Sequence, residues 1–168
     1  MTTRRAVPVT VPIGPADPQT GGMRIWSSPV RYAECDGQGV VFNSHYLLYA
    51  DEALTGLLHA LGTPYDQLLA RGLDTAVVAS ELTWVAPARY GDVVEVDAEI
   101  ERIGRTSFTV AFAIGVADQP CCRVRTSYVL TDLDRKPTAV PDDLRAAWTS
   151  VPASHVTVGA GPAGSPAR

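Results

Sequence analysis

The sequence predicts an α+β domain: one long helix laid across an antiparallel sheet of about five strands. Three observations lead there. A single amphipathic stripe runs from His45 to Leu61, the length of a helix. After it come four strand-like runs, three of which alternate apolar and polar residues with a period of two. Those runs follow one another with no further long helix between them. That order suits an antiparallel sheet carrying one helix, not a parallel doubly wound sheet.

The first strand is expected over Arg24–Ala33, where Trp26, Val30 and Tyr32 punctuate a mixed run. Asp36, Gly37 and Gly39 mark a loop over Glu34–Asn43. In the helix, Tyr46, Tyr49 or Ala50, Ala53, Leu57 and Leu61 form the apolar stripe, with Glu52, Thr55 and His59 on the opposite side. Asn43 or Ser44 would supply the N-cap, its side-chain oxygen taking an orphan N–H. Gly62 ends the helix. Gly56, inside it, costs about 1 kcal/mol relative to alanine, which predicts close approach of the helix to the sheet. A short second helix fits Pro64–Ala70. Strands are then expected over Thr75–Val85, Asp92–Ile100, Ser107–Val116 and Cys121–Leu130, with a closing helical turn over Pro141–Trp148.

Composition bounds the rest. The chain has 168 residues, 46% apolar and 19% charged, which suits one domain. Residues 1–22 and 151–168 carry 7 of the 13 prolines and 6 of the 14 glycines, and almost no large apolar side chains. Both are expected to be disordered tails around a folded unit over 23–150. The formal charge is −4, with 14 basic against 18 acidic residues, which argues against a nucleic-acid or anionic-membrane binder. Prolines at 8, 12, 15 and 18 interrupt what a signal peptide needs. Three cysteines, Cys35, Cys121 and Cys122, form neither a disulfide framework nor a C-x-x-C metal spacing, and fit a reducing cytoplasm. Gly159–Gly164 spells G-x-G-x-x-G, but a proline inside it and the absence of a strand and helix around it argue against nucleotide binding.

No zinc-protease, P-loop or nucleophile-elbow motif is present. Of the three histidines, His155 lies in a tail, His59 on the polar side of the helix and His45 near its start. The informative stretch is Val30–Tyr46. Asp36 sits in a glycine-bearing loop whose apolar continuation, Val40-Val41-Phe42, leads into a helix N-terminus. The first turn of a helix carries unpaired N–H groups and about half a positive charge. Such a terminus can stabilise an oxyanion while a neighbouring carboxylate acts as base or nucleophile, the two parts that acyl transfer requires.

This segment resembles the signature of the 4-hydroxybenzoyl-CoA thioesterase family, the acyl-CoA thioesterases of the hotdog fold. Asp36, Gly39, Val40, Val41, Phe42, Asn43 and Tyr46 match its pattern. Pro87–Val96 resembles the family's turn between its second and third strands, and Arg105–Phe108 the start of its fourth. The likeness spans about Val30–Leu130. It implies a hotdog sheet wrapped around the central helix, and hydrolysis of an acyl-CoA or acyl-carrier-protein thioester. By the same resemblance, Asp36 is the catalytic carboxylate and the backbone N–H of Asn43 the oxyanion donor. Substrate would lie along Gly39, Val40, Phe42 and Ser44, with Arg105, Thr106 and Ser107 near the CoA phosphates. Arg105 follows a glycine at an expected hairpin turn, where a guanidinium can grip a phosphate. Where many relatives carry histidine this chain has Asn43, which preserves the backbone role alone. Asp51 and Glu52 on the helix are expected to be structural or rim groups, since Asp36 occupies the loop position. Cys35 lacks a paired base.

The family builds its sites between subunits, so a homodimer or homotetramer is implied. The sequence agrees, because one five-stranded sheet leaves a long edge unpaired. No metal and no cofactor beyond the CoA of the substrate are expected. Two alternatives remain: a module that binds acyl-CoA without cleaving it, and a hydratase or dehydratase of enoyl or 3-hydroxyacyl thioesters. The latter needs a histidine paired with an acid.

Overall fold

The computed structural model describes residues 22–150. The expected tails therefore lie outside the described residues except for Gly22, as do His155 and the Gly159–Gly164 motif. The elements run β1 (Met23–Pro29), a 3-10 turn (Tyr32–Glu34), α1 (His45–Ala60), α2 (Tyr65–Ala70), β2 (Leu73–Trp84), β3 (Val93–Ile103), β4 (Ser107–Val116), β5 (Gln119–Asp132) and α3 (Asp142–Thr149).

The strands form one sheet in the order β1-β3-β4-β5-β2, antiparallel throughout. Alternation decides which face is buried. Phe108, Val110, Phe112 and Ile114 of β4 point to one side together with Val94 and Val96 of β3 and Val124, Tyr128 and Leu130 of β5. Tyr46, Tyr49, Ala50, Ala53, Leu57 and Leu58 of α1 close over that face. The other face carries charge pairs, Arg24 with Glu95 at 2.7 Å and Asp97 at 2.9 Å, and Arg125 with Glu101 at 2.5 Å.

Gly56 has the role its position predicted. A Cβ there would stand 2.5 Å from the carbonyl oxygen of Ile25. Ile25 lies where the β1–β3 register shifts, between Arg24 and Trp26, and this irregularity faces the helix.

Three expectations are corrected. The first strand stops at Pro29, not Ala33, because Tyr32–Glu34 coils into a 3-10 turn with the Glu34 side chain accepting the Arg31 N–H at 2.8 Å. The third strand runs on to Ile103, beyond Ile100. A register shift between Ile100 and Arg102 breaks the period of two, so Ile103 rejoins the packed side opposite Phe108. Ser44 is the cap residue of α1 but makes no side-chain cap bond. Its backbone is already helical (φ −70°, ψ −22°), whereas a capping side chain ordinarily turns back from an extended residue.

Candidate active site

The segment after β1 builds a small hairpin. Phe42 N–H donates to the Glu34 carbonyl at 2.9 Å, and Asp36 N–H to the Val40 carbonyl at 2.9 Å. Gly39 closes the tip, its N–H reaching the Asp36 carbonyl at 2.9 Å with φ +73°, a conformation glycine adopts freely. Val41 N–H donates to the Ala88 carbonyl at 2.8 Å, which ties the hairpin to the segment before β3. Asp36 is half-buried on this tip, and its Oδ1 accepts the Gln38 N–H at 2.7 Å.

The hairpin runs directly into α1. Among the described residues, the N–H groups of Asn43 and Ser44 find no backbone acceptor. With no side-chain cap either, the positive end of the helix stays open. Beside it runs a groove of about 430 Å³ lined by Ser44, Leu47, Leu48, Asp51, Val77, Thr126 and Tyr128. Leu47 and Leu48 are 40% and 42% exposed, and Phe42 48%. Another depression, of about 350 Å³, crosses the outer face of the sheet among Glu81, Glu99, Arg123 and Arg125, on the side away from α1. Of the two, the groove along α1 adjoins the helix N-terminus.

Asp36, Gly39, Val40, Phe42, Asn43 and Ser44 thus share one continuous hairpin-to-helix segment. Arg105, Thr106 and Ser107 do not join them within the chain. They lie where β3 turns into β4, at Ile103–Ser107, whereas the Asp36 hairpin adjoins the start of β3 through Val30 N–H and the Asp92 carbonyl, 2.8 Å apart. The 11 residues of β3, about 36 Å of strand, lie between the two. The turn itself is firmly held. Arg145 of α3 donates to the Gly104 carbonyl at 2.7 Å, and Val140 N–H to the Arg105 carbonyl at 2.8 Å, while the Arg105 side chain stays exposed.

The sequence reading passed over Glu34. It is buried, and its carboxylate accepts from Arg31 and from the Tyr49 hydroxyl, the latter at 2.9 Å. Burial works against its charge, but the Arg31 N–H, the guanidinium and the Tyr49 hydroxyl outweigh that, holding the carboxyl below its ordinary range. The opposite charges of Arg31 and Glu34 at i, i+3 were the available signal. Tyr46, also buried, accepts the Ala88 N–H at 3.0 Å. Cys121 and Cys122 are buried thiols whose pKa values burial pushes up, that of Cys122 to about 12, so neither suits nucleophilic work. His45 is half-buried in the first turn of α1, while Glu52 and His59 are exposed along it. Asp51 borders the groove.

An antiparallel sheet wrapped on one long helix is the architecture of a hotdog protein. Comparison with known proteins names the group: residues 30–148 match the Thioesterase-like superfamily, and the chain belongs to it. It is 28% identical over 106 residues to a putative esterase of Aquifex aeolicus, covering 63% of this chain and 83% of that one. It is 27% identical over 123 residues to the acyl-CoA thioester hydrolase YbgC of Escherichia coli, covering 72% of this chain and 92% of that one. The crystal structure of Slr0204, a 1,4-dihydroxy-2-naphthoyl-CoA thioesterase from Synechocystis, superposes with a TM-score of 0.67 at 25% identity, covering 75% of this chain and 95% of that one.

Proposed function

We propose that this protein hydrolyses the thioester of an acyl-CoA, or of an acyl group on a carrier protein, to free acid and thiol. The observation that carries the reading is the half-buried Asp36 on a hairpin that runs into a helix N-terminus whose Asn43 N–H has no backbone acceptor. Asp36 takes a proton from water as it adds to the carbonyl carbon, or attacks that carbon itself and forms a mixed anhydride that water then opens. In both routes the C–S bond breaks, the departing sulfur takes up a proton, and the carbonyl oxygen's negative charge rests on the Asn43 N–H and the helix dipole. One well-placed donor of this kind is worth about 10²–10³ in rate. The likeness at Asp36–Tyr46 to the 4-hydroxybenzoyl-CoA thioesterases supports these roles, and the names of the relatives support the substrate class.

The groove beside Ser44, Leu47 and Leu48 would take the acyl group, with Gly39, Val40 and Phe42 at its mouth. The active unit would be a homodimer, or a homotetramer made of two such dimers. β2 is a sheet edge that leaves Val77 and Val78 54% and 59% exposed. Two-fold pairing along β2 would run the two helices in opposite directions, because the same edge meets itself. Each Asp36 hairpin would then face the far end of the partner chain, where Arg105, Thr106 and Ser107 lie ready for the CoA phosphates. That arrangement would bridge a separation that one chain alone cannot.

Free-thiol release, followed across aliphatic and aromatic acyl-CoAs and acyl-carrier substrates, tests the reading. Turnover of at least one acyl thioester is expected. A protein that binds acyl-CoA yet releases no thiol from any of them would be a binding module instead.

A further inference from the structure

We infer that Glu34 is a positioning residue for the reaction: its carboxylate clamps the Asp36 hairpin to α1 through Tyr49. The inference rests on Asp36 being the reacting acid, as proposed above.

Glu34 is the one charged side chain that is buried among the described residues, at 4% exposure. Both of its oxygens are satisfied. Oε2 accepts the Arg31 N–H at 2.8 Å and the Tyr49 O–H at 2.9 Å, and Oε1 accepts Arg31 Nε at 2.8 Å and Nη2 at 2.6 Å. The pair with Arg31, whose side chain is 71% exposed, adds little stability, as ion pairs open to water generally do. Its geometric consequence is larger. The carbonyl of the same residue accepts the Phe42 N–H at 2.9 Å, the rung that closes the base of the hairpin. Asp36 follows Glu34 by two residues, and Asn43 follows Phe42 by one. A single residue therefore holds both legs of the segment, through its backbone to one and through its side chain to the helix.

Tyr49 is itself fixed. Its ring packs against Trp26 at a centroid distance of 5.4 Å and against Tyr46 at 6.0 Å, so its hydroxyl offers a stationary donor. The chain of contacts Arg31–Glu34–Tyr49 thus sets where the acid stands relative to the amide of Asn43. Acyl transfer is sensitive to such placement, because a displacement of about 1 Å can cost about 10²-fold in rate.

The test uses the full-length chain with Glu34→Gln and Tyr49→Phe, each alone and combined with Asp36→Asn. Each single variant is expected to lose about tenfold or more in kcat with KM within about twofold, and to add no further loss in the Asp36→Asn background, as coupled positions do. Amide hydrogen exchange reads the clamp without substrate: the Asp36, Gly39 and Phe42 amides should exchange at least about tenfold faster in both variants, with the β4 and β5 amides unchanged. If Glu34→Gln does not fold, Tyr49→Phe decides alone. Unchanged exchange in the hairpin, or a kcat loss that persists on top of Asp36→Asn, overturns the inference. A wild-type protein that releases no thiol, with faster hairpin exchange in the variants, would sink the thioesterase reading and leave the clamp itself standing.

Discussion

Gly56 and Ile25 meet so closely that no side chain fits between α1 and β1 at that point: an added Cβ would stand 2.5 Å from the Ile25 carbonyl oxygen. The obstacle is backbone, which cannot swing aside as a flexible side chain would. Gly56→Ala therefore sets a gain of about 1 kcal/mol in helix propensity against an overpacking cost of about 1–3 kcal/mol. A net loss of stability is expected, read as a lower urea midpoint at unchanged m-value. A variant more stable than the parent would mean that α1 rides higher on the sheet than described.

Asp36→Asn should leave the fold intact, since its Oδ1 still accepts the Gln38 N–H that shapes the hairpin tip. Turnover should fall by at least about 10²-fold, the scale of losing positioned acid/base chemistry. Circular dichroism together with steady-state thiol release checks both halves. Near-parental turnover would remove Asp36 from the mechanism.

Arg105→Ala is expected to raise KM for acyl-CoA with kcat nearly unchanged, because a phosphate contact remote from the carbonyl binds ground and transition states alike. The same acyl group carried on pantetheine, which lacks the nucleotide, should show no difference between the variant and its parent. Equal effects on both substrates would place Arg105 elsewhere.

Val78→Lys places a charge on the exposed β2 edge, a device that blocks edge-to-edge pairing. Sedimentation should shift from a multiple of the 17.9 kDa chain toward the single chain, with loss of thiol release. An active monomer would refute a site shared between subunits.

Glu34 also predicts how the protein responds to acid. Its carboxyl is held below the ordinary range, so it stabilises the fold fully above the unfolded value, about 4.3, and progressively less as pH falls through the depressed folded value. Thermal denaturation from neutral pH downward should show a steeper loss below about pH 4 in the parent than in Glu34→Gln. Parallel curves would mean that the Glu34 carboxyl titrates alike in the folded and the unfolded chain.

Much of this was legible in the chain itself. The stripe from Tyr46 to Leu57 and the alternation from Phe108 to Ile114 name their own buried faces, because helix and strand periods are local properties of the backbone. That Asp36 and Asn43 lie on one segment was legible too, since loop, hairpin and helix start are contiguous in the chain. Ile103 was missed because a register shift interrupts the alternation it belongs to, and Glu34 because a carboxylate reads as surface until its partners are known.

The amino-acid order by itself determined the α+β class, the helix that spans the sheet and the segment that carries the acid. Tertiary structure alone decided that Glu34 turns inward to Tyr49, and that Arg105 lies at the end of β3 opposite the one the Asp36 hairpin adjoins. The physical reason is range: periodicity and turn chemistry act over a few residues, while strand register and buried charge pairing depend on groups brought together from distant parts of the chain.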